Sequence, residues 1–171
     1  MSIQELLQRH ISAARLLFVT PLLPGRAVER NVFVSPDVAK LIVGDTSIPA
    51  RFHRVGGEAR AQIDAFTTGR AIRFAMNPMH KDPATLVARN EPTNKGIVDL
   101  RIRQPRPPVR LFGAFAQVDV LVLLTWEERK NLRFNAAVKR CRGQWDLLFP
   151  HNAPLIGIAH HEYISRNVII S

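Results

Sequence analysis

Cysteine is almost missing from this chain: Cys141 stands alone among 171 residues. A single thiol excludes an intrachain disulfide framework and any zinc site built on several cysteines. It fits a reducing, cytoplasmic setting. Long apolar runs are missing too. Leaving glycine aside, the longest is Val120–Leu124, closed by Thr125, far short of the roughly 18–20 apolar residues that span a bilayer. The opening stretch MSIQELLQRHISAARLLF has no basic leader ahead of a continuous apolar segment. It reads as an amphipathic helix rather than a signal peptide, and no membrane partner is expected. No Gly-rich phosphate loop and no serine nucleophile elbow is present.

Acidic side chains are also few. Fourteen Asp and Glu face 24 Lys and Arg, for a net charge of +10, and only five of those basic residues are lysine. The charge is concentrated: residues 95–142 hold eleven basic and four acidic side chains. Such a field attracts nucleic acid, an anionic surface or an acidic protein. Arginine suits bidentate phosphate contacts, although a GC-rich genome produces the same bias. With 46% hydrophobic and 22% charged residues the chain is globular rather than disordered, and long enough to bury a core.

Ser2-Ile3-Gln4-Glu5 is a capping box, and Ile3, Leu6, Leu7, Ile11, Ala14 and Leu17 follow at helical spacing. Pro21, Pro24 and Gly25 make a turn. In residues 26–57, NVFV at 31–34 suggests a short strand. Ser35-Pro36-Asp37 suggests a helix start, Val38–Val43 suits either a helical turn or a strand, and Gly56-Gly57 reads as a break. The pattern predicts a helix over 58–68 closed by Gly69, a strand over 71–75, and a proline-bearing loop with a brief helical turn over 77–92.

From Lys95 the periodicity sharpens. Val98, Leu100 and Ile102 alternate with Asp99, Arg101 and Arg103 at period two. Pro105–Pro108 breaks the ladder, Val109–Phe115 forms a second strand, and the apolar Val120–Trp126 forms a third, doubly covered one. Short links between the three imply an antiparallel meander. Phe134, Ala137, Val138, Cys141, Trp145, Leu148 and Phe149 make one helical stripe ended by Pro150, and Asn167–Ile170 suits a last strand. The fold class expected is α+β: an antiparallel sheet, a meander of three core strands, packed against helices. The division expected is an N-terminal helix and irregular extension over 1–57 and an α+β domain with a C-terminal extension over 58–171.

The arginines of this sheet pose the functional question. Arg101 and Arg103 share one strand face about 7 Å apart, and Arg110 on the next strand comes near them if the register allows. Arg129, Lys130 and Arg133 follow the third strand. Several guanidiniums on one sheet face suit a phosphodiester, bound or stabilised as a pentacoordinate transition state. They equally suit a solvated face with Asp99 as local counter-charge. In the tail, His160-His161-Glu162 looks like a metal cluster, but neighbours on a strand point to opposite faces and HEYIS is not HExxH, so no metal or other cofactor is expected. Trp126, Trp145 and Cys141 fall on apolar patterns and read as core.

Gly96-Ile97-Val98-Asp99-Leu100-Arg101-Ile102-Arg103, then Val109-Arg110-Leu111-Phe112, then Val120–Leu124 and the basic Arg129-Lys130 segment resemble the core of the RelE/HigB/ParE toxin superfamily over about residues 58–142. The resemblance implies a RelE-like core with N- and C-terminal extensions. It also implies metal-independent, ribosome-dependent endonuclease action on mRNA, or in one branch gyrase poisoning, and neutralisation by an antitoxin. It places Arg101 or Arg103, Arg110, and Arg129 or Lys130 at the message. The expected function is thus a toxin-like, cytoplasmic RNA-binding protein acting on RNA or ribosome-bound mRNA. Arg101, Arg103, Arg110 and Arg129 would be catalytic, and Lys130, Arg133, Lys139 and Arg140 would bind nucleic acid. An acidic antitoxin or other acidic protein is the expected protein partner. The alternative is a non-enzymatic basic binding module, either gyrase-targeting or a structural protein of a phage or mobile element. Val109 replaces the usual aromatic before the second-strand arginine. Phe134 stands where some of these nucleases carry Tyr, and it has no hydroxyl for proton transfer.

Overall fold

The computed structural model describes all residues, 1–171. Its centre is one eight-stranded mixed sheet. The strands are β1 (Leu17–Phe18), β2 (Asn31–Val34), β3 (Ile72–Ala75), β4 (Val87–Arg89), β5 (Ile97–Ile102), β6 (Val109–Gln117), β7 (Val120–Glu128) and β8 (Val168–Ile170). Their order across the sheet is β1-β2-β7-β6-β5-β4-β3-β8. Four helices complete the fold: α1 (Ile3–Ser12), α2 (Pro36–Val43), α3 (His53–Thr67) and α4 (Phe134–Leu148).

The expected α+β meander is corrected. β5, β6 and β7 are antiparallel neighbours, but they are the middle of a wider sheet. β2 joins β7 in parallel on one side, while β4 pairs with β5 antiparallel and β3 runs parallel to both β4 and β8 on the other. Residues 1–57 therefore supply two strands of this sheet, and α3 runs across position 57.

Both faces are covered. α2 and α3 pack on one through Val38, Leu41, Val55, Ile63 and Phe66 against Leu100, Leu111, Phe115 and Leu123. α1 and α4 pack on the other through Leu7, Ala137, Val138, Cys141 and Trp145 against Ile97, Phe112, Val122 and Leu124. This explains the nearly unbroken apolar runs of β6 and β7: a strand buried on both faces has no polar side to alternate with.

Local signals explain most helix ends. Ser2 and Glu5 cap α1 reciprocally, the Ser2 amide donating to Glu5 Oε2 at 2.6 Å and the Glu5 amide to Ser2 Oγ at 3.2 Å. α1 stops at Ser12, short of the expected Leu17. Ala14 turns the chain with a φ of 54°, and Leu17 and Phe18 then pair with Val34 and Phe33 instead. Ser35 caps α2 by accepting from the Val38 amide at 3.2 Å, so 38–43 is helix. Thr85–Asn90, expected as loop, contains β4 because Val87 and Ala88 find partners in both β3 and β5.

Gly56-Gly57 does not break the chain; both lie inside α3. The reason is a close helix crossing. A Cβ on Gly56 would sit 2.2 Å from the carbonyl oxygen of Leu41 on α2, whereas Gly57 faces open space. Gly56→Ala should therefore cost about 1–3 kcal/mol by forcing the two helices apart, and Gly57→Ala should be neutral or slightly stabilising. Urea denaturation of the two variants checks the contrast.

β8 is held at the far edge by Arg30, which is only 2% exposed. Its guanidinium donates to the carbonyls of Phe66, Arg70, Arg166 and Asn167 at 2.9–3.2 Å. Burial pushes its pKa down, against the opposing pull of Asp119 and Glu29. No helix is long and apolar enough to cross a membrane.

Candidate nucleic-acid interface

Alternation along β5 decides what meets what. Val98, Leu100 and Ile102 enter the α2/α3 core. Asp99 and Arg101 therefore project to the other face, the one covered by α1 and α4. Arg101 is directly opposite Arg110 in the β5–β6 register, and Arg110 is opposite Glu127 on β7. Two like charges face to face across a sheet cost stability unless something negative joins them.

Asp99 is part of the answer. It is fully buried, and its Oδ1 accepts from Asn90 Nδ2 at 2.9 Å. Arg110 is 5% exposed, with its Nε 3.3 Å from Asp99 Oδ2. Neither of those two atoms makes an aligned hydrogen bond, and Arg101 Nη1 is also buried without a partner. The ion pair is close but leaves donors and an acceptor unused. Burial pushes the Asp99 carboxyl up, against the pull of Lys81 and then Arg110. Burial also pushes Arg110 down to about 10, which leaves it charged at neutral pH.

Two more cations enter from elsewhere. Lys81, on the loop between β3 and β4, has its Nζ 5.6 Å from the centre of the Phe134 ring, and Arg129, just after β7, has its Cζ 5.3 Å from it. Phe134 opens α4 and rests edge-on against the buried Phe112. It holds the two cations over one aromatic ring. Lys81 is half-buried, and burial lowers its pKa ahead of the attraction of Asp99 and the repulsion of arginines 101, 110 and 129. Burial and then Arg103 lower that of Arg101.

The expected arginines thus come together only in part, and not on an open face. Arg101 and Arg110 lie at Asp99, and Arg129 lies next to them over Phe134. Arg103 lies past the end of β5 and donates to the carbonyls of Asp82, at 3.3 Å, and Thr85, at 3.5 Å. A cavity of about 220 Å3 opens beside Arg101 and Arg103, with Thr85, Gln104, Glu58 and Gln62 in its wall. Lys130, Arg133 and Lys139 are exposed around the start of α4. Arg140 is bound to Glu127 instead.

No family model, curated protein or solved structure matches this chain. Lys81 and Asn90 are the members of the site that the sequence pattern did not reveal. Neither lies on a periodic element, and each reaches the cluster only because loop 76–86 and β4 fold back beside β5.

Other expected features lie apart. His160-His161-Glu162 forms a short 3-10 turn, and Glu162 Oε2 accepts from the amides of Ile158 and Ala159 at 2.7 and 2.8 Å. Those amide bonds pull the Glu162 carboxyl below the usual range. Cys141 is buried and its thiol is pushed up to about 12 by burial, which makes it unreactive at neutral pH. Trp145 is core, and Trp126 packs edge-on against Phe52.

Proposed function

We propose that this protein binds single-stranded RNA through its phosphates. Lys81, Arg101 and Arg129 form the centre of the interface, and Lys130, Arg133 and Lys139 extend it along the start of α4. The observation that carries the reading is the charge imbalance of one cluster: Lys81, Arg101 and Arg110 act on the buried Asp99, and Arg129 joins Lys81 over the Phe134 ring without a carboxylate of its own. A net +10 chain adds long-range attraction. The setting proposed is cytoplasmic, in keeping with the single, buried thiol.

Binding is favoured over cleavage by the place of Arg110. The resemblance to RelE-type nucleases puts that arginine at the scissile phosphate. Here its guanidinium is enclosed, paired with Asp99 and donating to the Val109 carbonyl at 3.2 Å. From the neighbouring strand it supports Arg101 and Asp99.

The test is fluorescence anisotropy with a short unstructured RNA, followed by a gel of the same RNA. The expected result is saturable binding at about micromolar Kd or tighter at physiological salt, weakened about tenfold in the Lys81→Ala/Arg129→Ala double variant, with the RNA intact. RNA cut by the parent and spared by Arg110→Ala would make the protein a nuclease. No RNA binding, with capture of an acidic polypeptide instead, would replace RNA by a protein partner.

A further inference from the structure

The cluster is over-supplied with donors for an ordinary backbone phosphate. Arg101 and Arg110 sit directly opposite each other on adjacent strands. Arg101 Nη1 is buried with no acceptor, and Arg110 Nε, on a side chain 5% exposed, lies 3.3 Å from Asp99 Oδ2 without an aligned bond. Lys81 and Arg129 are held above the same ring. Against these four cations stands the buried Asp99, together with Glu127 opposite Arg110, which is already bonded to Arg140. A phosphodiester offers one negative charge and two free oxygens. A phosphate monoester offers a charge near −2 and three acceptor oxygens at neutral pH. The second matches this local excess within a single group, in a half-buried setting where each charge interacts more strongly than in water.

We infer that Lys81, Arg101 and Arg129, backed by the Arg110–Asp99 pair, form a pocket for a phosphate monoester dianion, which on the RNA-binding reading is the phosphorylated end of a strand. Arg101 offers the ligand its partnerless Nη1 from β5. Lys81 and Arg129 close on it from loop 76–86 and the end of β7. Arg110 and Asp99 are positioning residues: they fix the strand pair from which Arg101 projects.

The experiment compares one RNA sequence with a 5′-phosphate, a 3′-phosphate or hydroxyl ends, and adds inorganic phosphate and a nucleoside monophosphate as competitors. The expected result is at least about tenfold tighter binding of one phosphorylated end over the hydroxyl form. That preference should be lost in Arg101→Gln and reduced in Arg129→Ala, a variant at an exposed position that leaves the fold intact. Displacement by the mononucleotide or inorganic phosphate, dependent on Arg101 but without an end preference, would keep the monoester and assign it to a free small molecule. Equal affinity for all three RNAs, with neither competitor displacing them, would overturn the inference while leaving RNA binding in place. If no RNA binds, titration with inorganic phosphate alone decides, and an absence of Arg101-dependent binding overturns it.

Discussion

Replacing Asp99 by alanine will cost the fold about 3–5 kcal/mol. The carboxylate is fully buried between Asn90 and Arg110. Its loss leaves a 5%-exposed guanidinium with no negative neighbour on its strand face except Glu127, which is already bonded to Arg140. Removing one member of a buried pair exposes the protein to the full desolvation cost of the other. Asp99→Leu combined with Arg110→Met removes both charges and keeps the volume, and it should recover most of the loss. Urea denaturation of the single and double variants measures both. A single variant as stable as the parent would mean that the pair contributes nothing to the fold.

Trp145→Ala should cost a similar amount, about 3–5 kcal/mol, for a different reason. Trp145 is fully buried between α4 and the sheet. It packs against Phe149 at a 4.5 Å ring separation, and its Nε1 donates to the Asn152 carbonyl at 2.8 Å. Truncation opens a cavity the size of an indole and frees the segment after α4. Trp145→Phe keeps most of the packing and loses the bond to Asn152, so it should cost only about 1–3 kcal/mol. Neither change touches the cationic cluster, so the folded fraction of each should bind RNA as the parent does. A denaturation midpoint unchanged by Trp145→Ala would contradict the packing described.

These expectations rest on parts of the structure that differ in how plainly the chain announces them. The β5–β6–β7 ladder is legible because the alternation of β5, the apolar runs of β6 and β7 and the short links between them are local signals, and the α4 stripe is legible for the same reason. The outer strands are not. β2 pairs with β7 across some ninety residues, and β8 pairs with β3 across a similar span; parallel pairing over that distance leaves no local trace. Gly56-Gly57 reads as a break because glycine weakens helices in general, while its actual role depends on a helix that the chain reaches only on folding. The arginines were visible as residues, but their burial was not, because the cover over that sheet face comes from α4 and loop 76–86. Lys81 joins the site from that loop with no pattern around it. The shared carboxylate, Asp99, was visible as a counter-charge but not as the buried centre of the cluster.

The central claim is that phosphates meet this cluster, and its most direct test is the salt dependence of RNA affinity. For single strands, log K falls against log salt with a slope of about −0.7 per phosphate neutralised. The parent should show a steep slope, and the Lys81→Ala/Arg129→Ala variant should show one shallower by about 1.4, two contacts' worth. A slope unchanged by those two substitutions would place the bound phosphates elsewhere on the protein and contradict the account.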